Sequence, residues 1–311
     1  ILFILLIILI LDFVVDIPFV SPINGSRAWI ILPGIGTIQP SEFMKIVLII
    51  LSANIIHEHN QYKTKMSMKD DIFLFYKIGK VVLPPLILII MQPDTGIPIV
   101  IVVSILAMLA ISQIRSIWIW IGLISFVVLF GGMIYLFEYH TDLLASLLGA
   151  PYRLNRFYGW LDTERHILTW GSQLYTSLLA VGSAGLTGHG TAATMITFAE
   201  PQNDFIFAVI AKNFGFIGVS FVIFISTLFN LKLLSIAIKF DRPKEQYMVA
   251  GLLGMLFFQQ FQNMGMIVGI LPITGITLPL ISYGGSSLLS YMIPLAIIYH
   301  MSSENKTRTL H

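Results

Sequence analysis

Long apolar stretches separated by short polar ones dominate the chain. A bilayer core of about 30 Å needs roughly 20 mostly apolar residues for each helix that crosses it. By this measure the pattern predicts about eight spans, near residues 1–20, 40–57, 73–91, 97–113, 117–138, 205–231, 247–270 and 286–301. The predicted fold class is all-α: a polytopic transmembrane helical bundle that forms a single integral membrane domain over residues 1–311.

The composition excludes an ordinary soluble domain. Hydrophobic residues make up 56% of the chain and charged residues only 11%, whereas soluble domains carry about 25% charged residues. The absence of cysteine excludes disulfides, thiolate metal sites and a cysteine nucleophile. The chain begins without methionine inside the apolar run 1–11. No charged flank or cleavage site surrounds that run, so we expect missing upstream sequence and not a signal peptide.

Lysine and arginine predict the orientation of the spans. With the first span running outward, twelve of the eighteen cations fall in cytoplasmic segments, four in outer segments and two within spans. The twelve are Lys63, Lys65, Lys69, Lys77, Lys80, Arg115, Lys232, Lys239, Arg242, Lys244, Lys306 and Arg308, the four are Arg27, Arg153, Arg156 and Arg165, and the two are Lys45 and Lys212. This places the polar segments 24–39, 92–96, 140–204 and 272–287 on the outer face.

The outer loop 140–204 is too long for a simple connection, since loops beyond about 15 residues are usually functional or disordered. Its Leu, Tyr, Trp and Phe content favours order, and residues 174–186 are predicted to form an interfacial or re-entrant helix. The loop also carries Arg153, Arg156 and Arg165 on the face that should be poor in cations. These arginines indicate an anionic partner such as phosphate, or else lipid headgroups or pairing with acidic neighbours.

Several polar residues outside that loop allow two interpretations each. Lys45 lies within a span, where a lysine costs about 2.5–3.5 kcal/mol, and Glu42 shares its helix face. The two form either a buried ion pair or part of a polar cavity that binds an anion. Asp94 is either a turn former or a contact to an acceptor or a metal. The segment from Ser282 to Ser287 either binds an anion through backbone N–H groups or forms a tight turn before the last span.

Short sequence blocks resemble, in order, those of the SEDS family (shape, elongation, division, sporulation), typified by RodA and FtsW. They extend over nearly the whole chain: 24–29 (NGSRAW), 39–42 (QPSE), 93–96 (PDTG), Gln173 with 180–186 (AVGSAGL), 204–208 (DFIFA), 272–275 (PITG) and 278–287 (LPLISYGGSS).

The resemblance implies a peptidoglycan glycosyltransferase, which polymerises lipid II (a disaccharide-pentapeptide on undecaprenyl pyrophosphate) into glycan strands of the cell wall. It implies a ten-span protein of the bacterial cytoplasmic membrane with an extracytoplasmic active site, of which this chain would lack the first two helices. It also implies a class B penicillin-binding protein as partner, which cross-links the strands. Overall likeness favours the RodA-like branch, which acts in cell elongation and shape.

The family aspartate held essential for polymerisation opens the span after the large loop, and Asp204 matches it. We expect Asp204 to be the general base, although an aspartate before a helix is also a common N-cap. The expected substrate-binding residues are Arg27, Glu42, Lys45, Asp94, Arg153, Arg156, Gln173, Ser282 and Ser286. The chain departs from the family pattern just before Asp204, where it reads AEPQN, and one turn into the span, where Lys212-Asn213 replaces a pair of glutamates.

Two other functions compete with the polymerase. A lipid II transporter (flippase) would need charged groups along a path through the bilayer, and these are few here. A scaffold that recruits the transpeptidase would need no chemistry. No ligand set identifies a metal, and a divalent cation on the pyrophosphate is suggested by analogy alone.

Overall fold

The computed structural model describes residues 2–11, 20, 28–32, 34, 36–62, 67–92, 96–149, 151–191 and 201–309. Within these ranges the helices are α1 (Leu2–Leu11), α2 (Pro40–Gln61), α3 (Met68–Met91), α4 (Gly96–Ala110), α5 (Ser116–Tyr139), α6 (Thr141–Leu148), α7 (Pro151–Leu161), α8 (Ser172–Ser183), α9 (Ile206–Ala237), α10 (Pro243–Ile267) and α11 (Gly285–Thr309). A 3-10 turn covers Glu164–His166.

The helices confirm the predicted fold class. Seven of the eight predicted spans overlap α2 to α5 and α9 to α11. The first, residues 1–20, overlaps α1, and its residues 12–19 lie outside the described residues. In the described part of the chain, α2, α3, α5 and α9 are long and apolar enough to cross a membrane, and α4 is a shorter apolar helix. Lipid cannot satisfy backbone polar groups, so apolar spans of this length form helices. The chain is therefore a multi-pass membrane protein.

A small hairpin was not predicted. Strand β1 (Ile30–Leu32) pairs antiparallel with β2 (Gly36–Ile38), with Ile31 opposite Thr37. The turn between them includes Gly34 at a φ of 80°, a left-handed conformation that glycine adopts without steric cost. The hairpin immediately precedes α2.

The loop 140–204, predicted to lie on the outer face, is largely helical in its described part, because α6, α7, the 3-10 turn and α8 follow one another between residues 141 and 183. Helix α8 confirms the predicted short helix, although it begins at Ser172 and ends at Ser183. Residues 192–200 of the loop lie outside the described residues.

The chain divides into two compact units, and the prediction of a single domain stays a prediction. The first unit comprises residues 1–114, 226–260 and 279–311. In it, α10 approaches α4 so closely that a Cβ atom on Gly254 would lie 2.5 Å from the Cβ of Ala107.

The second unit comprises residues 115–225 and 261–278. Its apolar core joins the start of α9 to the end of α10. The buried residues of this core are Phe205, Phe207, Ala208, Met266, Ile267 and Leu278.

Candidate active site

The second unit contains the predicted base, Asp204, at the start of α9. The carbonyl of Phe205 accepts the first helical hydrogen bond, from Val209 N at 3.1 Å, so Asp204 precedes the N-cap position by one residue. The two phenylalanines that follow, Phe205 and Phe207, are each only 4% exposed. Their burial in the apolar core fixes the backbone that carries the aspartate.

Asn263 links the backbone of Asp204 through hydrogen bonds to the segment that follows α10. This residue of α10 is fully buried, and its Nδ2 donates to the carbonyl oxygen of Asp204 at 2.9 Å and to that of Ile276 at 2.8 Å. Both amide hydrogens are thereby used. A single side chain thus holds the start of α9 beside the segment that follows α10.

The carboxylate of Asp204 faces Gly275. A Cβ atom on Gly275 would lie 3.3 Å from Oδ2 of Asp204, and the φ of Gly275 is 74°. A side chain at position 275 would therefore be conformationally strained and would press on the carboxylate. Gly275 is exposed and Asp204 is half-buried.

Arg156 of α7 reaches the same turn. Its Nη1 lies 3.4 Å from the carbonyl oxygen of Thr274, the residue before Gly275. The turn is held by Gln262, whose Nε2 donates to Pro272 O at 2.9 Å, and α7 by Trp160, whose Nε1 donates to Gly269 O at 2.9 Å. The structure therefore brings Asp204 and Arg156, two of the predicted site residues, to one turn over residues 272–275.

Two polar atoms near this turn have no hydrogen-bond partner among the described residues: Oδ1 of Asn263 and Oγ1 of Thr274. The amide nitrogen of Asn263 donates two hydrogen bonds, and these fix which side-chain atom is the nitrogen and which is the oxygen. The atom without a partner is therefore the oxygen, Oδ1. The turn thus combines a carboxylate, a guanidinium and additional polar atoms in a partly buried setting. Such a set can accept a proton and neutralise an anion.

Glu42 and Lys45 form a second polar cluster, in the first unit. Lys45 is fully buried, and its Nζ lies 2.7 Å from Oε2 of Glu42 and 4.6 Å from the ring centroid of Tyr291. Oγ of Ser290 donates to the same carboxylate oxygen at 3.1 Å. Of the two interpretations of Lys45, this geometry favours the buried ion pair, and a role toward pyrophosphate stays a prediction.

Ser286 joins the hairpin and α2 to α11. Its Oγ accepts from Gln39 N at 3.2 Å and donates to Thr37 O at 3.0 Å. These bonds give Ser286 a structural role at the start of α11, while anion binding there stays a prediction.

Two of the remaining predicted site residues are described with their side chains. Gln173 is exposed on α8, and Ser282 is half-buried before α11. Arg27 and Asp94 lie outside the described residues, and only the backbone of Arg153 is described. Arg165 lies 3.6 Å from Asp162, which is the acidic pairing considered as the alternative for the loop arginines. No group of three or more His, Cys, Asp or Glu side chains able to hold a metal occurs in the part of the chain that the structure describes.

Sequence reasoning missed Asn263 and Gly275 as site residues. A signal for Asn263 was present, because α10 carries four amides within one apolar stretch. All four are buried: Gln259, Gln260, Gln262 and Asn263. A buried amide in an apolar helix needs a partner, so this run predicts long-range hydrogen bonds without specifying where they lead.

Comparisons with known proteins identify the family. The sequence profile of the FtsW, RodA and SpoVE family, described as a cell cycle protein family, matches residues 1–307. Stage V sporulation protein E of Bacillus subtilis (strain 168) is 32% identical over 285 residues, covering 90% of this chain and 72% of that protein. A probable peptidoglycan glycosyltransferase FtsW of Haemophilus influenzae is 32% identical over 299 residues, covering 93% of this chain and 71% of that protein.

Solved structures share the fold. A chain from a study of the structural coordination of polymerization and crosslinking by a peptidoglycan synthase complex superposes with a TM-score of 0.72 at 24% identity, covering 98% of this chain and 82% of that chain. The rod shape determining protein RodA of Thermus thermophilus gives a TM-score of 0.60 at 24% identity, covering 98% and 78%. The chain belongs to the FtsW, RodA and SpoVE family, and the resemblance to SEDS proteins is confirmed.

Proposed function

We propose that this protein is a peptidoglycan glycosyltransferase that polymerises lipid II at the outer face of the bacterial cytoplasmic membrane. The observation that carries the proposal is the position of Asp204, whose carboxylate faces Gly275 in a turn that Arg156 also contacts. A base and a cation at one partly buried turn match the needs of glycosyl transfer from a pyrophosphate. The charge pattern of the loops supports the outer location, because few lysines and arginines lie on that side.

In this reaction the 4-hydroxyl of an acceptor sugar attacks the anomeric carbon of a donor sugar. The new bond joins that oxygen to the carbon, and the bond from the carbon to the lipid pyrophosphate breaks. The departing pyrophosphate takes the electron pair, and the carboxylate of Asp204 takes the hydroxyl proton. A positioned base of this kind contributes about 10²–10⁴-fold to a rate.

Arg156 is suited to neutralise the negative charge that develops on the leaving pyrophosphate. A guanidinium presents a planar fork of donors that matches phosphate oxygens. Its Nη1 lies 3.4 Å from the carbonyl oxygen of Thr274, which is long for a hydrogen bond. A phosphate oxygen carries more negative charge than a carbonyl oxygen and makes a stronger charge-assisted hydrogen bond, so it would compete with Thr274 O for the guanidinium.

The proposed partner is a class B penicillin-binding protein that cross-links the new strands. Support comes from the fold shared with a chain of a peptidoglycan synthase complex. A role in cell elongation, as in the RodA-like branch, stays part of the proposal. The two relatives described above have names that refer to sporulation and to FtsW.

Polymerisation by purified protein tests the proposal. With lipid II and the partner present, the wild type should yield glycan chains and Asp204→Asn should yield none, while binding to the partner is retained. Asp162→Asn is the matched control, because Asp162 lies in the outer loop and pairs with Arg165, away from the residues assigned to catalysis.

The other functions give different results in the same preparation. A transporter would move lipid II across vesicle membranes at the same rate with or without the Asp204→Asn substitution, and the wild type would make no polymer. A scaffold would bind its partner and neither polymerise nor move lipid II. Either result would overturn the proposed activity.

A further inference from the structure

Helix α9, whose first turn follows Asp204, is interrupted in its middle. Gly215 has a φ of 61° and a ψ of −155° inside Ile206–Ala237, which divides the helix into residues 206–214 and 216–237. An interruption removes main-chain hydrogen bonds. At membrane depth the exposed backbone groups must find partners within the protein.

Residues 185–190, which we call the clasp, supply those partners. Phe216 N donates to Gly185 O at 2.9 Å and Ile217 N to Leu186 O at 3.1 Å. In the other direction, His189 N donates to Lys212 O at 2.8 Å and Gly190 N to Asn213 O at 3.1 Å. The clasp therefore bonds to both broken ends of α9 through its main chain.

The fit between the clasp and the break leaves no room for side chains at two positions. A Cβ atom on Gly188 would lie 2.4 Å from the carbonyl carbon of Asn213, and one on Gly215 would lie 2.5 Å from Gly188 N. Both glycines also have positive φ values, 76° and 61°. Their conformation and their mutual contact each require glycine.

The clasp is tied in turn to α10. Ser183 Oγ and His189 Nε2 lie 2.9 Å apart, which links the clasp to the end of α8. Ser177 of α8 is fully buried, and its Oγ donates to the carbonyl oxygen of Ile267 at 2.9 Å. The clasp is thus connected through α8 to the last residue of α10.

The first half of α9 is consequently held at both ends by one short stretch of α10. Asn263 fixes its start by a hydrogen bond to Asp204 O. The clasp fixes its end and is connected to Ile267 through α8. At about 1.5 Å per residue, the Asp204 backbone lies roughly 13 Å along the axis from Asn213. Loss of the clasp would leave a two-turn helix attached through a glycine hinge.

We infer that the clasp is a positioning element for glycosyl transfer, which keeps the first half of α9 rigid so that the Asp204 carboxylate stays beside Gly275. The inference rests on the proposed function of Asp204 as the base. The clasp makes no contact with substrate in this account, so its loss lowers kcat and leaves the KM for lipid II nearly unchanged.

A glycine-to-alanine series in the complete protein tests the inference. Gly188→Ala combines a positive φ with a blocked Cβ position, Gly190→Ala has a φ of 83° with nothing within 4 Å of its Cβ, and Gly182→Ala meets neither obstacle. A displaced base costs about 10–100-fold, so Gly188→Ala should lower kcat by about that factor. Gly190→Ala should lower it less, and Gly182→Ala should match the wild type.

Hydrogen exchange of the amides in residues 206–214 gives a second measurement on the same folded samples. Exchange there should be faster in Gly188→Ala and Gly190→Ala than in Gly182→Ala. If Gly188→Ala does not fold, Gly190→Ala is compared with Gly182→Ala instead, because its Cβ position is open. Folded clasp variants with wild-type kcat, or with unchanged exchange in 206–214, would overturn the inference.

Asp204→Asn in the same assay separates this inference from the proposed function. An inactive Asp204→Asn together with fully active clasp variants would refute the positioning role of the clasp and leave the base assignment intact. An active Asp204→Asn would refute the base assignment, whatever the glycine variants do.

Discussion

Substitution of Asn263 by aspartate should disable the site without changing its shape. The two side chains have nearly the same volume, but an ionised carboxylate has no hydrogen to donate and a protonated carboxyl has only one, whereas the amide has two. At least one of the carbonyl oxygens of Asp204 and Ile276, now bonded at 2.9 and 2.8 Å, would therefore lose its donor. That oxygen would then face a carboxyl oxygen in a fully buried position.

The size of the effect follows from these two bonds. A buried polar group without a partner costs about 1–3 kcal/mol, so the substitution should cost about 1–3 kcal/mol if one bond is lost and about 2–6 kcal/mol if both are lost. If only 2 kcal/mol of this affects the transition state, through the backbone that carries Asp204, the rate should fall roughly 30-fold. Polymer formed from lipid II per folded protein, together with thermal unfolding, measures both effects.

Asn60→Asp is the matched control. Nδ2 of Asn60 also makes two hydrogen bonds, to Ser112 O at 2.8 Å and to Tyr247 OH at 3.0 Å. Both variants should unfold at lower temperature, and only Asn263→Asp should lose polymerisation where the protein is still folded. A folded Asn263→Asp protein that polymerises at the wild-type rate would refute the account of how Asp204 is held.

Three further predictions concern the remaining site residues. Lys45→Met should destabilise the protein by about 3–5 kcal/mol, because Glu42 is left buried and unpaired, and adding Glu42→Gln should restore most of the thermal stability; equal losses in single and double variants would contradict the ion pair. Gly275→Ala should lower kcat with little change in KM, since the new Cβ would lie 3.3 Å from Oδ2 of Asp204, and steady-state kinetics with unchanged kcat would contradict this. Arg156→Lys should retain charge but lose bidentate geometry, so polymerisation should fall by about tenfold, and a wild-type rate would exclude a phosphate role for Arg156.

The spans could be predicted because their cause is local. A long apolar run in lipid forms a helix because a helix satisfies the backbone hydrogen bonds within the run itself. Helices α2, α3 and α5 follow directly from that rule. The hairpin at Ile30–Leu32 and Gly36–Ile38 was missed because two three-residue strands leave too few positions to show alternation. The break in α9 was missed for a different reason: Gly215 is one glycine in an apolar run, and its consequence depends on residues 185–190.

The candidate site divides in the same way. Glu42 and Lys45 could be paired from their spacing of three residues on a helix, and the structure places them 2.7 Å apart. Asp204 was found only through the resemblance to the family, because an aspartate before a helix has a common structural explanation. Asn263 and Gly275 could not be assigned, since their partners lie in segments that meet only after the chain has folded.

The role proposed for the Asp204 carboxylate is to accept the proton of the attacking hydroxyl. The most direct test is the polymerisation rate of purified Asp204→Asn at saturating lipid II, relative to the wild type with the same partner. We expect a rate lower by at least about 100-fold, the smallest contribution expected of a general base. A rate within about threefold of the wild type, a difference of less than 1 kcal/mol in activation free energy, would contradict it.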